Sequence, residues 1–451
     1  EASFRRDGSS RFYKDNRWGN FFSVGGAWDI SKEDFIKEAE WIDFLKLRAS
    51  YGETGNNYVN IAGSENINYY ANQPLYYIDK NGGHGALIHQ SLEANDLKWE
   101  TSQTIDIALE GHLWDRLDFS VGYFNRASKN LLFAVPLPAS AGSYIGGDNI
   151  NLTIMKNIGS VRNSGAELSA AVDILKGRDW KWNFGLDATF LDNKITKLPD
   201  HKDIANGTYR RYSEGHSIYE FYTYHFEGVD RLTGRSLYTI DPAQAEKAAA
   251  AGKRVTINGT DYTLDTTYGK RDFRGTAVPT AYGSVHTGLT WRDLSLNVLM
   301  TYSLGGKVFD SGYQDLMSTN TSSSVKAIHT DALHSWAAAP QGITETSPNR
   351  IDPKGIPLLD YNLSTYNNAT SDRWLTNADY LVMKSIALSY QLPKALVQSW
   401  GVESILLNAG VENAFTVTAR QGLNPQYGFT GTQDATYTTA RIFNFGLTLK
   451  F

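Results

Sequence analysis

The sequence contains no cysteine, only four methionines and only nine histidines among 451 residues. Without cysteine the chain can form neither disulfides nor Cys-ligated zinc or iron–sulfur sites. It also lacks any run of about 18 consecutive apolar residues, so no membrane-spanning helix is predicted. A membrane β-barrel is still compatible with this absence, because each of its strands is a weak sequence signal on its own.

Motifs of nucleotide-binding and nucleophilic enzymes are absent too: G-x-S-x-G, the P-loop and G-x-G-x-x-G do not occur. His329 and His334 are five residues apart, which misses the i, i+4 spacing of a zinc-binding helix. Carboxylates such as Asp106, Glu110 and Asp187 are spread over several segments rather than paired as in a glycosidase. We therefore expect no catalytic, metal or cofactor site, and a protein that is not an enzyme.

The charge is nearly balanced, with 43 Lys and Arg against 48 Asp and Glu, a net charge of 43 − 48 = −5. This balance argues against a nucleic-acid partner held by a basic surface. Hydrophobic residues make up 41% and charged residues 20%, which favours a folded chain over a disordered one. The 26 tyrosines, 11 tryptophans and 40 glycines are typical of a β-rich, turn-rich protein.

Alternation of apolar and polar side chains with a period of two is the strongest pattern in the chain. In 181–190 the apolar members are Trp182, Phe184, Leu186, Ala188 and Phe190. Because successive side chains of a strand point to opposite faces, such a segment has one apolar and one polar face. The pattern predicts about twelve strands, near 1–7, 20–29, 45–51, 105–109, 116–123, 166–174, 181–190, 280–291, 294–302, 378–391, 405–411 and 443–451.

The connections between these strands alternate in length. Some are short, at 112–115, 176–180 and 292–293, and others are long, at 55–96, 129–160, 196–279 and 305–377. Short turns at one end and long loops at the other are typical of an outer-membrane β-barrel. Helical signals are few: short helices are predicted at 243–251 and 323–338, and helical turns at 31–40 and 393–399.

The predicted fold class is therefore all-β, a transmembrane antiparallel β-barrel with long extracellular loops. The alternative from the pattern alone is a soluble β-sandwich or propeller. Nearly every strand has an apolar face with no second apolar sheet to cover it, which argues against a sandwich. No repeat of 40–50 residues supports a propeller.

Seven stretches resemble the SusC-like (SusC/RagA) family of TonB-dependent outer-membrane transporters from Bacteroidetes-type bacteria. They are "RRDGSSRFYKDNRWGNFFSVGGAWDISKEDF" (5–35), "LKLRASYGETGN" (45–56), "SVRNSGAELS" (160–169), "DYLVMKSIALSYQLP" (379–393), "NAFTVT" (413–418), "GLNPQYG" (422–428) and "GLTLKF" (446–451). They follow the order of the family along the whole chain.

The resemblance implies a 22-stranded barrel with an N-terminal plug, of which residues 1–451 would be the C-terminal part. The plug, the TonB-contacting region and the first strands are then expected in an N-terminal part of the same transporter outside this sequence. It also implies an outer-membrane location, a SusD-like lipoprotein partner over the extracellular loops, and TonB-driven import of oligosaccharides or oligopeptides. No cofactor is implied, and the calcium site of some relatives is not carried over, because the loop at 229–277 lacks their Asp-rich stretch.

On such a barrel the polar strand faces would line the lumen, and aromatic residues near strand ends would form interfacial girdles. The expected lumen residues are Lys46, Arg48, Asp106, Glu110, Glu167, Asp173, Asp187, Asn297 and Glu412. The expected girdle residues are Trp28, Trp41, Tyr51, Trp114, Trp180, Trp182 and Trp291.

Two tyrosine-rich loop stretches, 67–79 and 217–226, are the candidate substrate contacts. Flat aromatic faces can stack on sugar rings, and phenol hydroxyls can add hydrogen bonds. The candidate residues are Tyr69, Tyr70, Tyr76 and Tyr77 in the first stretch and Tyr219 and Tyr222 in the second. Self-packing of the loops and contact with the lid lipoprotein are alternative roles, and a peptide cargo would favour backbone-type polar contacts.

Two other functions stay open at this point. One is a siderophore or cobalamin receptor of the same fold without a SusD-like partner. The other is a cell-surface β-rich binding protein.

Overall fold

A computed structural model describes residues 1–60, 67–136, 144–145, 150–151, 153–319, 327–420, 422–427, 430–433 and 438–451. Its main element is a twelve-stranded sheet whose strands follow one another in chain order. These strands are Ala2–Gly8 (β1), Trp18–Asp29 (β2), Ile42–Asn56 (β3), Glu100–Leu113 (β4), Leu117–Lys129 (β5), Ser160–Lys176 (β6), Trp180–Lys197 (β7), Ala281–Trp291 (β8), Leu294–Leu304 (β9), Tyr380–Gln391 (β10), Ser404–Thr418 (β11) and Ile442–Lys450 (β12). Every predicted strand is confirmed.

The long connections contain shorter strands of their own, which the period-two pattern did not predict. These are Leu75–Asn81, His84–Ser91, Leu132–Pro136, Tyr144–Ile145, Ile150–Asn151, Thr153–Asn157, Ile204–Asn206, Arg210–Tyr212, Glu220–Tyr224, Phe226–Asp230, Ser236–Thr239, Arg254–Ile257, Thr260–Thr263, Arg271–Thr276, Lys307–Asp310, Ile351–Asp352, Leu375–Asn377 and Thr432–Gln433. The long loops are therefore folded structures.

Helices are short throughout the described residues, and none of them is long and apolar enough to cross a membrane. The α-helices are Ala245–Ala250 (α1), Ser311–Leu316 (α2), Ser364–Asn367 (α3) and Lys394–Val397 (α4). The 3-10 helices are Ile30–Lys32, Pro199–His201, Pro242–Gln244, Thr266–Tyr268, Thr330–His334, Tyr361–Leu363, Asp372–Trp374, Gln398–Trp400 and Pro425–Tyr427.

The short helix predicted at 243–251 is confirmed as α1 with the 3-10 turn before it, and the helical turn predicted at 393–399 is confirmed as α4 with the 3-10 turn after it. At 31–40 the structure has the end of a 3-10 turn and further turns. The helix predicted at 323–338 is wrong for the part that is described, where only the 3-10 helix Thr330–His334 forms; residues 323–326 lie outside the described residues. The His329 ring nitrogen accepts the Asp331 N–H at 3.1 Å, and Ser335 is extended, so the turn closes and ends locally.

Strand register places apolar side chains in continuous rows across β2 to β7. One row consists of Trp28, Leu47, Leu109, Val121, Leu168 and Ala188. The row one residue away consists of Asp29, Lys46, Glu110, Ser120, Ser169 and Asp187. Because neighbouring rows point to opposite faces, this part of the sheet has one apolar and one polar surface.

The apolar surface has the height of a membrane band. Along β4 it includes Ile105, Ile107, Leu109, Gly111 and Leu113. Four intervals of two residues cover about 27 Å along a strand, and a tilt of about 40° reduces this to about 21 Å. A transmembrane barrel carries an outward apolar band of about 25 Å, so the rows match that requirement.

Tryptophan pairs occur at the short-turn end of this apolar surface. The rings of Trp41 and Trp114 stack with centroids 5.4 Å apart, next to the start of β3 and the end of β4. Trp180 and Trp291 stack at 5.7 Å, at the start of β7 and the end of β8. All four are among the residues predicted to form a girdle.

The chain divides into two compact units, and each has buried loop clusters of its own. The first unit comprises Glu1–Asp203, Ser213–Ser217 and Val285–Arg292, and the second comprises Ile204–Tyr212, Ile218–Ser284 and Asp293–Phe451. The loop cluster of the first unit consists of Phe12, Val59, Ala71, Ala94, Leu97 and Met155. The second unit has two clusters, one of Phe221, Ala277, Phe309, Met317, Ala332 and Trp374 and one of Leu237, Ile257 and Leu264.

Candidate functional site

The first tyrosine-rich stretch belongs to a loop assembly of the first unit. A four-stranded loop sheet in the order 75–81, 84–91, 153–157 and 132–136 forms part of this assembly. Met155 of this sheet packs in the cluster with Phe12 and Val59, so segments far apart in sequence form one base. We call this arrangement the first loop assembly.

Tyr69 and Tyr70 present their rings to solvent from this base, with 59% and 60% of their surface exposed. The turn that carries them is nevertheless anchored. Buried Asn68 donates its N–H to the Val59 carbonyl at 2.8 Å and accepts the Tyr70 N–H on its side chain at 2.9 Å. The Arg11 guanidinium lies 5.1 Å from the centre of the Tyr69 ring. Two exposed aromatic faces are thus held on an ordered turn, as a stacking contact requires.

Tyr76 and Tyr77 lie on the strand Leu75–Asn81 of the same assembly. The Tyr76 ring is exposed and its centre lies 4.4 Å from that of His89, the residue opposite it in the register. Tyr77 lies opposite Ile88, and its side chain is outside the described part of the structure.

The second stretch belongs to the second unit, where its strand Glu220–Tyr224 pairs with Arg271–Thr276. Tyr219 is partly buried and packs against the cluster around Phe221, so most of its apolar surface is already used in the loop fold. Tyr222 is half-buried on the other face of the strand. Its hydroxyl accepts a hydrogen bond from Arg211 at 2.8 Å, and its ring lies 5.0 Å from Phe273.

Basic residues accompany the aromatic rings of the second unit, which the sequence analysis missed. Arg271 lies 4.6 Å from the Tyr224 ring, opposite it in the register, and Lys253 lies 3.9 Å from the Tyr366 ring. Arg373 lies 4.6 Å from the Trp374 ring. A cation over an aromatic face is attractive by about 0.5–2 kcal/mol. The tyrosine-rich stretch 219–224 was the sequence signal for this part of the site. The basic residues that contact its rings could not be predicted, because they depend on the register of the loop strands, which no local pattern specifies.

A buried ion pair fixes the loops of the second unit. Asp230 and Arg350 side chains are 1% and 9% exposed, and two hydrogen bonds of 2.8 and 2.9 Å join them. Asp230 also accepts from the Leu232 N–H at 3.1 Å and the Thr233 hydroxyl at 2.9 Å. Burial favours the neutral acid, but these four donors outweigh it and hold the pKa of Asp230 below its usual range.

A second anchor is built on Asp310, which precedes α2. Its carboxylate accepts the Tyr313 N–H at 3.0 Å as a helix cap and the Arg420 Nε–H at 3.0 Å. Burial, together with a hydrogen bond to Asp331 at 2.7 Å, raises the pKa of Tyr313 to about 12. Tyr313 therefore stays a neutral donor at every physiological pH.

The polar surface of the sheet carries paired charges. Arg48 on β3 donates from Nε to Glu110 at 2.7 Å and from Nη1 to Asp106, both on β4. These two bonds pair the guanidinium with two carboxylates across the strands, so the carboxylates belong to a charged polar wall. Among the described residues no group of three His, Asp or Glu side chains could hold a metal ion.

Comparison with known proteins identifies the family to which this sheet belongs. Residues 1–414 match the family described as TonB dependent receptor-like, beta-barrel. The chain belongs to this family. The sheet is therefore part of an outer-membrane β-barrel, its apolar rows face lipid, and the family is one of transporters rather than enzymes. The predicted fold class, location and family resemblance are confirmed.

Individual relatives of this receptor barrel are similar along its whole length. It is 26% identical to TonB-dependent receptor P3 of Formosa agariphila over 99% of the chain and 43% of that protein. It is 26% identical to TonB-dependent receptor SusC of Bacteroides thetaiotaomicron over 100% of the chain and 42% of that protein. The solved RagAB peptide transporter superposes with a TM-score of 0.76 at 24% identity, covering 100% of this chain and 45% of the other. The chain thus spans less than half the length of these relatives.

Proposed function

We propose that the protein takes part in TonB-dependent import of nutrient oligomers, oligosaccharides or oligopeptides, across the outer membrane. The observation that carries this proposal is the register of β2 to β7, where a lipid-facing apolar surface is backed by a hydrated polar one. A polar lumen of this kind allows passage of hydrated cargo once a plug has moved.

We also propose that residues 1–451 are the C-terminal part of the barrel, with a plug, the TonB-contacting region and further strands in an N-terminal part. The share of the relatives' length that the chain covers supports this reading. A SusD-like surface lipoprotein is the proposed partner, and the RagAB complexes support such a two-component arrangement. The folded loops would supply its docking surface.

The proposed cargo contacts are the six predicted tyrosines, Tyr69, Tyr70, Tyr76, Tyr77, Tyr219 and Tyr222. Tyr69 and Tyr70 have the strongest support, because they combine high exposure with an anchored turn. Tyr219 has the weakest support, because it packs against the Phe221 cluster.

Uptake by the native organism tests this proposal. Deleting the gene should abolish growth on an oligomeric nutrient while growth on the monomer is unchanged, and loss of TonB should have the same effect. A lipoprotein should co-purify with the tagged full-length transporter. Normal growth on all oligomers combined with defective uptake of a ferric siderophore or cobalamin would instead support the receptor alternative.

A further inference from the structure

The outer face of the sheet carries basic side chains at the long-loop end of β5 and β6. These two strands pair without a register shift from Lys129 to Val121. Because side chains alternate between the two faces of a sheet, Lys129 and Arg162 lie on the same face as Val121 and Leu168 of the apolar surface. Both cations are therefore on the side of the wall that faces lipid.

The height of Arg162 matches the headgroup layer of the membrane. Arg162 lies six residues beyond Leu168 of the middle apolar row, which is about 15 Å along the membrane normal for a tilted strand. Half of the apolar band is about 12 Å, so the Cα of Arg162 lies just outside the hydrocarbon. Lys129 lies about 21 Å from the same row, and its flexible side chain can reach back towards the membrane.

Some charges in this region already have partners within the protein. Lys194 on β7 forms an ion pair of 3.0 Å with Asp192. Lys197, at the end of the same strand, interacts with the Glu214 carboxylate. These two lysines are therefore compensated and add little to the attraction of an external anion.

Three other cations have no such partner, and we call Arg162, Lys129 and Lys156 the outer basic site. Across the described part of the chain, no carboxylate lies within ion-pair distance of any of the three. The Arg162 Nε–H also has no hydrogen-bond acceptor there. Lys129 and Lys156 line a cavity of about 510 Å³, in which Asp200 is the one acidic lining residue. Three positive charges against one negative charge attract an anion.

Below Arg162 the outer face has a shallow groove. Its floor is formed by Ser164 and Ala166 of β6, and the register places Tyr123 and Phe190 on either side of Ala166. Both rings are exposed, at 47% and 42%, and are much larger than the methyl group between them. A linear acyl chain fits such a groove, because it can cover the apolar sides of both rings and the floor together.

We propose that the outer basic site binds the phosphate groups of an anionic lipid in the outer leaflet, with an acyl chain of that lipid in the groove at Ala166. Guanidinium and ammonium groups form strong charge-assisted hydrogen bonds with phosphate oxygens. Basic residues at a membrane interface attract anionic headgroups for the same reason. A soluble anion would use the cations and leave the groove empty, whereas a lipid uses both. This inference goes beyond the proposed transport, because it depends on the outer face of the barrel and not on cargo.

Lipid binding to the full-length transporter in a neutral detergent tests this inference, with native mass spectrometry as the measurement. The probes are bisphosphorylated lipid A, the same lipid A without its phosphates, and inorganic pyrophosphate. The phosphorylated lipid should bind most tightly. Arg162→Gln should weaken its binding about tenfold, which is the loss of roughly one charge-assisted hydrogen bond, and Lys129→Gln should weaken it in the same direction. Ala166→Trp should also weaken it, because the indole fills the groove.

Arg126→Gln is the matched control, since Arg126 lies opposite Asn163 on the polar face of the same wall, one residue from the height of Arg162. It removes the same charge and should leave lipid binding unchanged. Equal affinity for the two forms of lipid A, or equal effects of Arg162→Gln and Arg126→Gln, would overturn the assignment of the site. Pyrophosphate binding as tight as that of lipid A, with no effect of Ala166→Trp, would overturn the lipid in favour of a soluble anion.

Discussion

A lysine scan along β5 measures whether the apolar rows face lipid. Val121 is 48% exposed and lies between Leu109 and Leu168 in the middle row of the apolar surface. Val121→Lys places an ammonium group near the bilayer midplane, where such a charge costs about 2–4 kcal/mol. Leu117 lies four residues away, or about 10 Å nearer the interface after tilt, and Leu117→Lys should cost only about 0–1 kcal/mol.

Ser120 provides the matched control, because it is adjacent in sequence but lies in the polar row between Glu110 and Ser169. Ser120→Lys should change the free energy of unfolding by less than about 1 kcal/mol. The assay is guanidinium unfolding of the full-length transporter in phospholipid vesicles, followed by tryptophan fluorescence. Equal losses at Val121 and Ser120, or a larger loss at Leu117 than at Val121, would refute the assignment of faces.

Three further changes probe the loops. Asp230→Asn leaves its buried guanidinium partner uncompensated and should destabilise the loop fold by about 3–5 kcal/mol, seen as faster hydrogen exchange in 226–239. The folded pKa of Asp230 is lowered, so the stability that its ionised form adds is present above about pH 4 and is lost as the pH falls through the folded pKa. Acid should therefore loosen the loops of the wild-type protein but should not loosen those of the asparagine variant any further. Gly234→Ala should cost about 1–3 kcal/mol and increase protease cleavage, because φ is 69° and an added Cβ would lie 2.3 Å from Trp336. Gly252→Ala, with φ of 65° and open space, isolates the backbone part of that cost. Tyr70→Ala should weaken cargo binding about tenfold and leave the unfolding midpoint unchanged.

A specific experimental result would contradict each of these three predictions. Unchanged exchange in the asparagine variant would show that the ion pair does not hold the loop. Equal protease sensitivity of the two alanine variants would assign the whole effect to backbone conformation. A shifted midpoint in the tyrosine variant would give that ring a structural role.

The strands could be predicted because the alternation that identifies each strand lies within a single short segment of the sequence. In 181–190 each side chain must face either lipid or water, and a strand that faces both alternates with a period of two. The predicted ends were less accurate: β3 was predicted at 45–51 and runs from Ile42 to Asn56. Beyond the membrane band Glu53 still pairs with Gln103 in the ladder, but neither face is apolar there, so the alternation disappears before the strand does.

The loop structures could not be predicted because they depend on contacts between residues that are far apart in the sequence. Asp230 and Arg350 are 120 residues apart in sequence, and nothing near either residue indicates the other. The tyrosine stretches were visible as composition, yet only the fold separates exposed Tyr70 from packed Tyr219.

The buried pair of Asp230 and Arg350 also has a consequence for how such receptors diversify. Asp230 belongs to the connection between β7 and β8, and Arg350 to the connection between β9 and β10. A chimaera that receives only one of these two connections from a relative would contain a buried charge without its ion-pair partner. Recombination that exchanges loops between these receptors should therefore transfer both connections together, as one evolutionary unit.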